Sequence, residues 1–256
     1  MRLLLPLLVG VPIGLAIGLV GGGGSLLAVP LLVYVVGVAS PHAAIGTASV
    51  AVALNAAAGI AAHARAGNVK WPCALVFATA GIVGAALGAE AGKMLDGADL
   101  LVAFGVLMIA IGALLLKPRR TPSRPDVRLS RDTAPELLPR LLPIGFGVGL
   151  LAGFFGIGGG FLIVPGLILA TAMPISMAIG TSLVIVATLG AATAASYAWS
   201  GLVDWPLTAL LLLGGAIGST IGMRVGRRLA NRKRTLELGF ALVVMALGLF
   251  VLVHAW

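Results

Sequence analysis

Long apolar runs separated by short polar stretches dominate this chain of 256 residues. The side chains within a run do not alternate between apolar and polar, as they would in the strands of a membrane β-barrel. Crossing about 30 Å of hydrocarbon takes about 20 helical residues. The pattern therefore predicts an all-α polytopic membrane protein. The runs cover residues 3–20, 24–39, 43–62, 71–90, 98–116, 141–156, 159–173, 175–198, 205–223 and 236–255.

The runs fall into two halves that repeat each other at an offset of about 134 residues. Four blocks recur in the same order, which is the signature of an internal repeat. They are 18–30 with 153–165, 44–48 with 178–182, 63–72 with 197–206, and the glycines 84, 88 and 92 with 218, 222 and 226. The sequence predicts a first membrane repeat at 1–116, a polar linker at 117–136 and a second membrane repeat at 137–256.

The second run of each half is too short to be a good spanning helix. It follows a glycine-rich stretch and contains a proline, Pro30 in the first half and Pro165 in the second. These features predict broken or re-entrant helices. Such segments at matching places in two halves point to the binding site of a transporter.

The positions of the charges predict how the chain lies in the membrane. Five runs in each half place the second half upside down, so the halves should be inverted repeats. Thirteen of the 17 basic residues fall at 117–140 and 224–234, and cytoplasmic loops are rich in Lys and Arg. We expect a multi-pass protein of the cytoplasmic (inner) membrane, with these two stretches inside and both termini outside.

Composition supports a lipid partner and disfavours several other classes of protein. Sixty per cent of the residues are hydrophobic and 10% are charged, against about 25% charged in soluble domains. The net charge of +9 lies mainly in two loops, which argues against nucleic-acid binding. The sequence shows no nucleophile–base pair and no cluster of metal ligands, so we expect neither an enzyme nor a cofactor or metal.

The glycine runs at 21–24 and 156–160 are the first candidate binding elements. Glycine lets consecutive backbone N–H groups turn towards one point, and such a nest at a helix start binds anions. The alternative is that glycine only permits a sharp turn or a close helix crossing. The glycines spaced by four, at 84–92, 145–153 and 214–226, are interpreted as packing seams of that second kind.

Hydroxyl groups near the starts of two later runs are the second candidates. They could donate to an anion or cap a helix. Trp71 and Trp205 are interpreted as interfacial anchors. The proposed substrate-binding residues are Gly22, Gly23, Gly24, Ser25, Gly46, Thr47, Ser49, Gly158, Gly159, Gly160, Gly180, Thr181 and Ser182, with His63 and Tyr197 as possible accessory residues.

The acidic residues indicate the charge of the substrate. All eight lie in loops or near the ends of the runs. A cation held inside the membrane is expected to need a carboxylate, whereas backbone N–H groups and hydroxyls can hold an anion. A carrier for a small anion is therefore favoured. A passive anion channel, a carrier of an unrelated small carboxylate and an intramembrane enzyme or scaffold remain as alternatives.

The paired motifs resemble those of the TauE/SafE family of sulfite exporters and related anion permeases. That family shows a glycine-rich stretch, a hydrophobic x-V-P and then P-x-x-A-x-G-T-S/A, which resemble residues 156–165 with 174–182, and 21–30 with 41–48. The first copy departs from the pattern at Gly22, Ser25 and Ala48. The resemblance implies a secondary carrier for sulfite, thiosulfate, sulfoacetate or a similar anion. We expect the two halves to rock around the site and so to alternate access. The sequence leaves open the coupling ion (proton or sodium), the direction of transport and the oligomeric state.

Overall fold

The computed structural model describes residues 4–20, 22–116, 126–156, 160–228 and 233–254, and every element in these ranges is helical. This confirms the all-α prediction. The helices are α1 (Leu4–Val20), α2 (Ala28–Pro30), α3 (Pro41–Arg65), α4 (Trp71–Lys93), α5 (Gly97–Leu116), α6 (Ala134–Phe154), α7 (Gly160–Thr171), α8 (Ile175–Trp199), α9 (Trp205–Arg228) and α10 (Lys233–His254).

Six helices of the described residues are long and apolar enough to cross a membrane, which confirms a multi-pass membrane protein. They lie at Pro41–Arg65, Trp71–Lys93, Gly97–Leu114, Ala134–Phe154, Ile175–Trp199 and Trp205–Gly226.

The second run of each half is short or broken, as predicted. In the first half it consists of a 3-10 turn at Gly22–Leu27, the single turn α2 and a π turn at Leu31–Val36. In the second half it is α7, which has 12 residues and contains Pro165. Neither forms a regular helix of the length that spans a bilayer.

Helix α6 begins at Ala134, about two turns before the predicted run at 141 and inside the predicted linker. Its first turns are polar and carry an ion pair between Glu136 and Arg140, with 3.5 Å between Oε1 and Nη1. The predicted start of this helix lies too far along the chain, because an apolar run marks only the part of a helix that lies in hydrocarbon.

Contacts between helix ends define two faces of the protein. The His42 ring nitrogen Nε2 lies 3.4 Å from the Gly92 carbonyl, so the start of α3 is beside the end of α4. Lys93 bonds Ser196 and Ser200 at the end of α8. We call this side the Lys93 face. The opposite side, where α3 ends, α4 begins and residues 126–133 lead into α6, is the linker face.

Helices α6 and α7 form a hairpin that enters from the linker face and turns inside the protein. Helix α6 runs parallel to α4, with Gly145 against Phe77 and Gly153 against Ala85. Helix α7 then returns along α6, because Gly166 faces Ile144. Helix α1 runs parallel to α9 in the same way, so α1 and residues 22–36 form a second hairpin that enters from the Lys93 face.

The helix contacts come in pairs that match when the two halves are exchanged. Helix α1 packs on α9 as α6 packs on α4, and α3 packs on α9 as α8 packs on α4. Helices α3 and α8, which occupy equivalent places in the two halves, pack on each other, and so do α5 and α10. The first half begins at the Lys93 face and the second at the linker face, as inverted repeats require.

Candidate functional site

The two hairpins enter from opposite faces and pack on each other in the interior. The 3-10 turn at Gly22–Leu27 packs on α7, the helix that Gly160 begins, and also touches α8. Ser25 and Leu26 are fully buried. The structure thus places Gly22, Gly23, Gly24 and Ser25 in a turn against the helix that starts at Gly160. Gly158 and Gly159 lie outside the described residues.

The turn of the second hairpin is held by helix α3. Gly156 has a φ of +62°, in the left-handed region that favours glycine. A Cβ at this position would overlap Cγ2 of Ile45. The Gly156 carbonyl accepts a hydrogen bond from the Ser49 hydroxyl at 2.7 Å. Ile45 and Ser49 lie one and two helical turns after the start of α3. The loop at Gly156 therefore lies inside the protein, one to two helical turns from the Lys93 face.

Thr47 and Thr181 make the same contact in opposite halves. Thr47 Oγ1 accepts a hydrogen bond from the Asp204 backbone N–H at 3.0 Å. Thr181 Oγ1 accepts one from the Lys70 N–H, also at 3.0 Å. Both threonines are fully buried. Each hydroxyl therefore joins the start of a long helix in one half to the loop before a helix in the other half.

The glycine before each threonine allows the opposite loop to come close. A Cβ on Gly180 would lie 2.5 Å from the Asn68 carbonyl oxygen, and one on Gly46 would overlap the Leu202 carbonyl oxygen. Asn68 and Leu202 are equivalent positions of the two halves. The Gly-Thr motif thus has a packing role that sequence inspection did not assign to it.

The four hydroxyls expected to donate to an anion all make hydrogen bonds within the protein, but in the described contacts only the two serines use their protons. Thr47 and Thr181 accept backbone hydrogen bonds, and the Ser182 hydroxyl donates to the Ile179 carbonyl at 2.8 Å. Ser49 shares its proton between the carbonyls of Ile45 and Gly156. Buried hydroxyls satisfy themselves on nearby carbonyls in this way. Of the predicted donors, the Thr47 and Thr181 hydroxyl protons and the backbone N–H groups of the hairpin tips remain for a substrate.

We expect the Thr47→Val and Thr181→Val variants to lose stability by similar amounts. Each leaves one partly buried backbone N–H without its acceptor, which costs about 1–3 kcal/mol. The measurement is thermal unfolding of the purified protein in detergent. Thr188→Val is the matched control, because the Thr188 hydroxyl bonds only carbonyls of its own helix in the described contacts. A control variant as unstable as the other two would contradict this role.

The Gly-x-Val-x-Trp-Pro motifs form matched junctions between helices. Gly67 and Gly201 have φ values of +70° and +69° and end α3 and α8. Asn68 N–H then bonds the His63 carbonyl at 3.0 Å, and Leu202 N–H bonds the Tyr197 carbonyl at 2.9 Å, as in a Schellman cap. Trp71 and Trp205 follow and are 46% and 61% exposed, which fits interfacial anchors.

The two accessory candidates lie at opposite faces. His63 is near the end of α3, at the linker face, and Tyr197 is near the end of α8, at the Lys93 face. They occupy equivalent places in the repeat, so the inversion of the halves separates them. The structure does not bring them together at one site.

The charges of the described residues also differ between the faces. Basic side chains dominate the linker face, whereas most acidic ones lie at the Lys93 face or near it. At the linker face are Arg65, Lys70, Arg128, Arg131, Arg140 and Arg224 with Asp126, Asp132 and Glu136, and at the Lys93 face are Glu90, Asp96, Asp99 and Asp204 with Lys93. Within the described residues, no group of three His, Cys, Asp or Glu side chains could hold a metal ion.

Comparison with known proteins gives matches along nearly the whole chain. The family model described as sulfite exporter TauE/SafE matches residues 6–251. A probable membrane transporter protein of Xylella fastidiosa (strain Temecula1 / ATCC 700964) is 44% identical over 244 residues, which cover 95% of this chain and 92% of the relative.

More distant relatives carry similar names. The probable membrane transporter protein YunE of Bacillus subtilis (strain 168) is 27% identical over 96% of each chain. The probable membrane transporter protein MJ0441 of Methanocaldococcus jannaschii is 28% identical over 98% of this chain and 96% of the relative. No solved structure matches the chain significantly.

Proposed function

Because this chain belongs to the sulfite exporter TauE/SafE family, we propose that it is a membrane transporter for a small sulfur-containing anion, such as sulfite, thiosulfate or sulfoacetate. The observation that supports this most is the packing of the glycine-rich turn at Gly22–Leu27 on helix α7 of the opposite hairpin, inside an inverted repeat. Transporters of this architecture bind their substrates near the midplane, where broken helices meet.

The proposed site uses backbone N–H groups as its donors. Gly160 begins α7, so the positive end of that helix dipole lies at the tip of the second hairpin. The turn at Gly22–Leu27 packs on the same helix. Gly158 and Gly159 complete the proposed nest by their place in the sequence. Each N–H given to an anion contributes about 1.5–3 kcal/mol, so several are needed to replace the hydration that the anion loses.

The proposed transport step is a rocking of the two halves around this site. The bonds of Thr47 to Asp204 and of Thr181 to Lys70 join the halves near opposite faces. Opening one face would separate a helix from a loop there, while the equivalent contact at the other face stays closed. We place the linker face in the cytoplasm, because it carries most of the basic residues.

A binding and uptake experiment tests the proposal. We expect sulfite, thiosulfate or sulfoacetate to raise the unfolding temperature of the purified protein, since a ligand at 100 times its Kd stabilises by about 2.7 kcal/mol. The same anion should accumulate in proteoliposomes against its gradient when a sodium or proton gradient is imposed. Chloride, sulfate and choline serve as controls.

Two results would contradict the proposal. If choline stabilises the protein and none of the sulfur anions does, the proposed anion site is wrong. Uptake that only equilibrates the anion, whichever ion gradient is imposed, would indicate a channel in place of a carrier.

A further inference from the structure

A polar cluster joins the ends of α4 and α8 at the Lys93 face. Lys93 Nζ lies 2.6 Å from Oε1 of Glu90 and 3.1 Å from the hydroxyl oxygens of both Ser196 and Ser200. The Lys93 side chain is only 17% exposed, whereas that of Glu90 is 65% exposed. A mostly buried ammonium group is therefore paired with a carboxylate that largely faces solvent.

The hydrogen bonds of this cluster have defined directions. Lys93 uses its three N–H groups on Glu90, Ser196 and Ser200. The Ser200 hydroxyl donates to the Ser196 carbonyl at 3.1 Å, and the Ser196 hydroxyl donates to Glu90 Oε1 at 2.9 Å. Two donors, an ammonium and a hydroxyl, thus converge on one carboxylate oxygen. That arrangement binds an oxyanion, and Glu90 supplies the oxyanion in this state.

Tyr197 provides an independent indication of a ligand at this place. It is fully buried, and its ring centre lies 5.8 Å from Lys93 Nζ, within cation–π range. Among the described residues, its hydroxyl group has no hydrogen-bond partner. A buried donor without an acceptor is costly and rare in folded proteins, so it calls for an explanation. An anion bound between Lys93 and the Tyr197 hydroxyl group would provide the missing acceptor.

The cluster is only partly repeated in the other half, where Arg227 is equivalent to Lys93 and His63 to Tyr197. The positions equivalent to Ser196 and Ser200 are Ala62 and Ala66, and the position equivalent to Glu90 is Arg224. Residues that only held two helices together would be expected to recur at both faces, as the Thr47 and Thr181 contacts do. The two serine hydroxyls and the Glu90 carboxylate are therefore particular to the Lys93 face.

We propose that Lys93, Ser196 and Tyr197 form a second anion-binding site at the Lys93 face, where the transported oxyanion replaces the Glu90 carboxylate. This inference rests on the proposed function, because the ligand is the same sulfur oxyanion. The Glu90 side chain is 65% exposed and can turn into solvent, while the incoming oxyanion takes over its bonds to Lys93 and Ser196. The site would collect the anion at one face before it reaches the hairpin tips.

Uptake of radiolabelled thiosulfate and of radiolabelled sulfite into proteoliposomes tests this site through the half-saturating concentration. We expect Lys93→Met to raise it about tenfold, because a charge-assisted hydrogen bond is lost. We expect Glu90→Gln to lower it about two- to fivefold, because the charge of an internal competitor is removed. Tyr197→Phe should raise it, and Lys93→Arg should restore most of what Lys93→Met loses. Thermal unfolding of each variant checks that it is folded.

The sign of the Glu90→Gln effect separates an anion site from a purely structural link. If Glu90→Gln and Lys93→Met both raise the half-saturating concentration, or if neither changes it, the inference is wrong while the proposed function stands. If the wild-type protein neither binds nor takes up either anion, the proposed function is wrong and this site is lost with it. If the wild-type protein transports the anion, and Lys93→Met raises the half-saturating concentration while Glu90→Gln lowers it, both the proposed function and this inference are supported.

Discussion

A Gly149→Leu variant is expected to yield little folded protein. Gly149 of α6 faces Gly81 of α4, and a Cβ would overlap the Gly81 carbonyl oxygen and lie 2.6 Å from its Cα. Both atoms belong to a helix backbone, so neither can rotate away as a side chain would. Separating the two helices loses the close packing that holds membrane helices together. We expect a loss of about 3 kcal/mol or more, the upper end of overpacking effects.

Gly147→Leu is the matched control for this prediction. Gly147 lies two residues away on the same helix, it is exposed, and nothing lies within 4 Å of its Cβ position. The same change in volume should leave stability nearly unchanged there. The measurements are the yield of monodisperse protein and the unfolding temperature in detergent. Equal stability of the two leucine variants would contradict the packing of α6 on α4.

The symmetric interface extends the same prediction to the first half. Gly14 of α1 faces Gly215 of α9, with the Gly215 Cα 2.7 Å from the Cβ position of Gly14. Gly14→Leu should therefore be about as damaging as Gly149→Leu. If Gly14→Leu leaves stability unchanged, the α1–α9 and α6–α4 interfaces do not contribute equally to the stability of the protein.

The sequence could predict the membrane helices because hydrocarbon thickness dictates their length. The run at 175–198 corresponds to α8 at Ile175–Trp199, and the run at 71–90 corresponds to α4 at Trp71–Lys93. The glycines spaced by four were correctly interpreted as packing seams, since small residues on one helix face serve close approach. The start of α6 was missed because its first turns are polar.

The contacts of the candidate site could not be predicted in the same way. Thr47 bonds a residue 157 positions away, and the fold alone decides that the Asp204 loop lies opposite. The expected hydroxyl donors also make hydrogen bonds within the protein, with Ser49 and Ser182 as donors and Thr47 and Thr181 as acceptors. Lys93 was missed because a charge near a helix end normally indicates a solvated loop. Its i, i+3 spacing from Glu90 was the only local signal of a pair.

A Gly156→Ala variant is expected to lose transport while still inserting into the membrane. Its φ of +62° costs alanine about 1–2 kcal/mol. The new methyl group would also overlap Cγ2 of Ile45, so the turn and α3 must move apart. That movement breaks the bond from Ser49 to the Gly156 carbonyl and displaces the start of α7, where the anion is proposed to bind. We expect uptake to fall about tenfold or more, since 1.4 kcal/mol of binding is a factor of ten.

Gly201→Ala separates backbone strain from the contact with α3. Gly201 has nearly the same φ, +69°, but nothing lies within 4 Å of its Cβ position. Uptake and unfolding temperature should therefore change less than in Gly156→Ala. Adding Ile45→Ala to Gly156→Ala removes Cγ1 and Cγ2 and leaves the Ile45 Cβ at 2.9 Å from the new methyl group, so recovery should be partial. If Gly156→Ala and Gly201→Ala reduce uptake equally and adding Ile45→Ala restores no uptake, the contacts of Ile45 and Ser49 with Gly156 do not position the transport site.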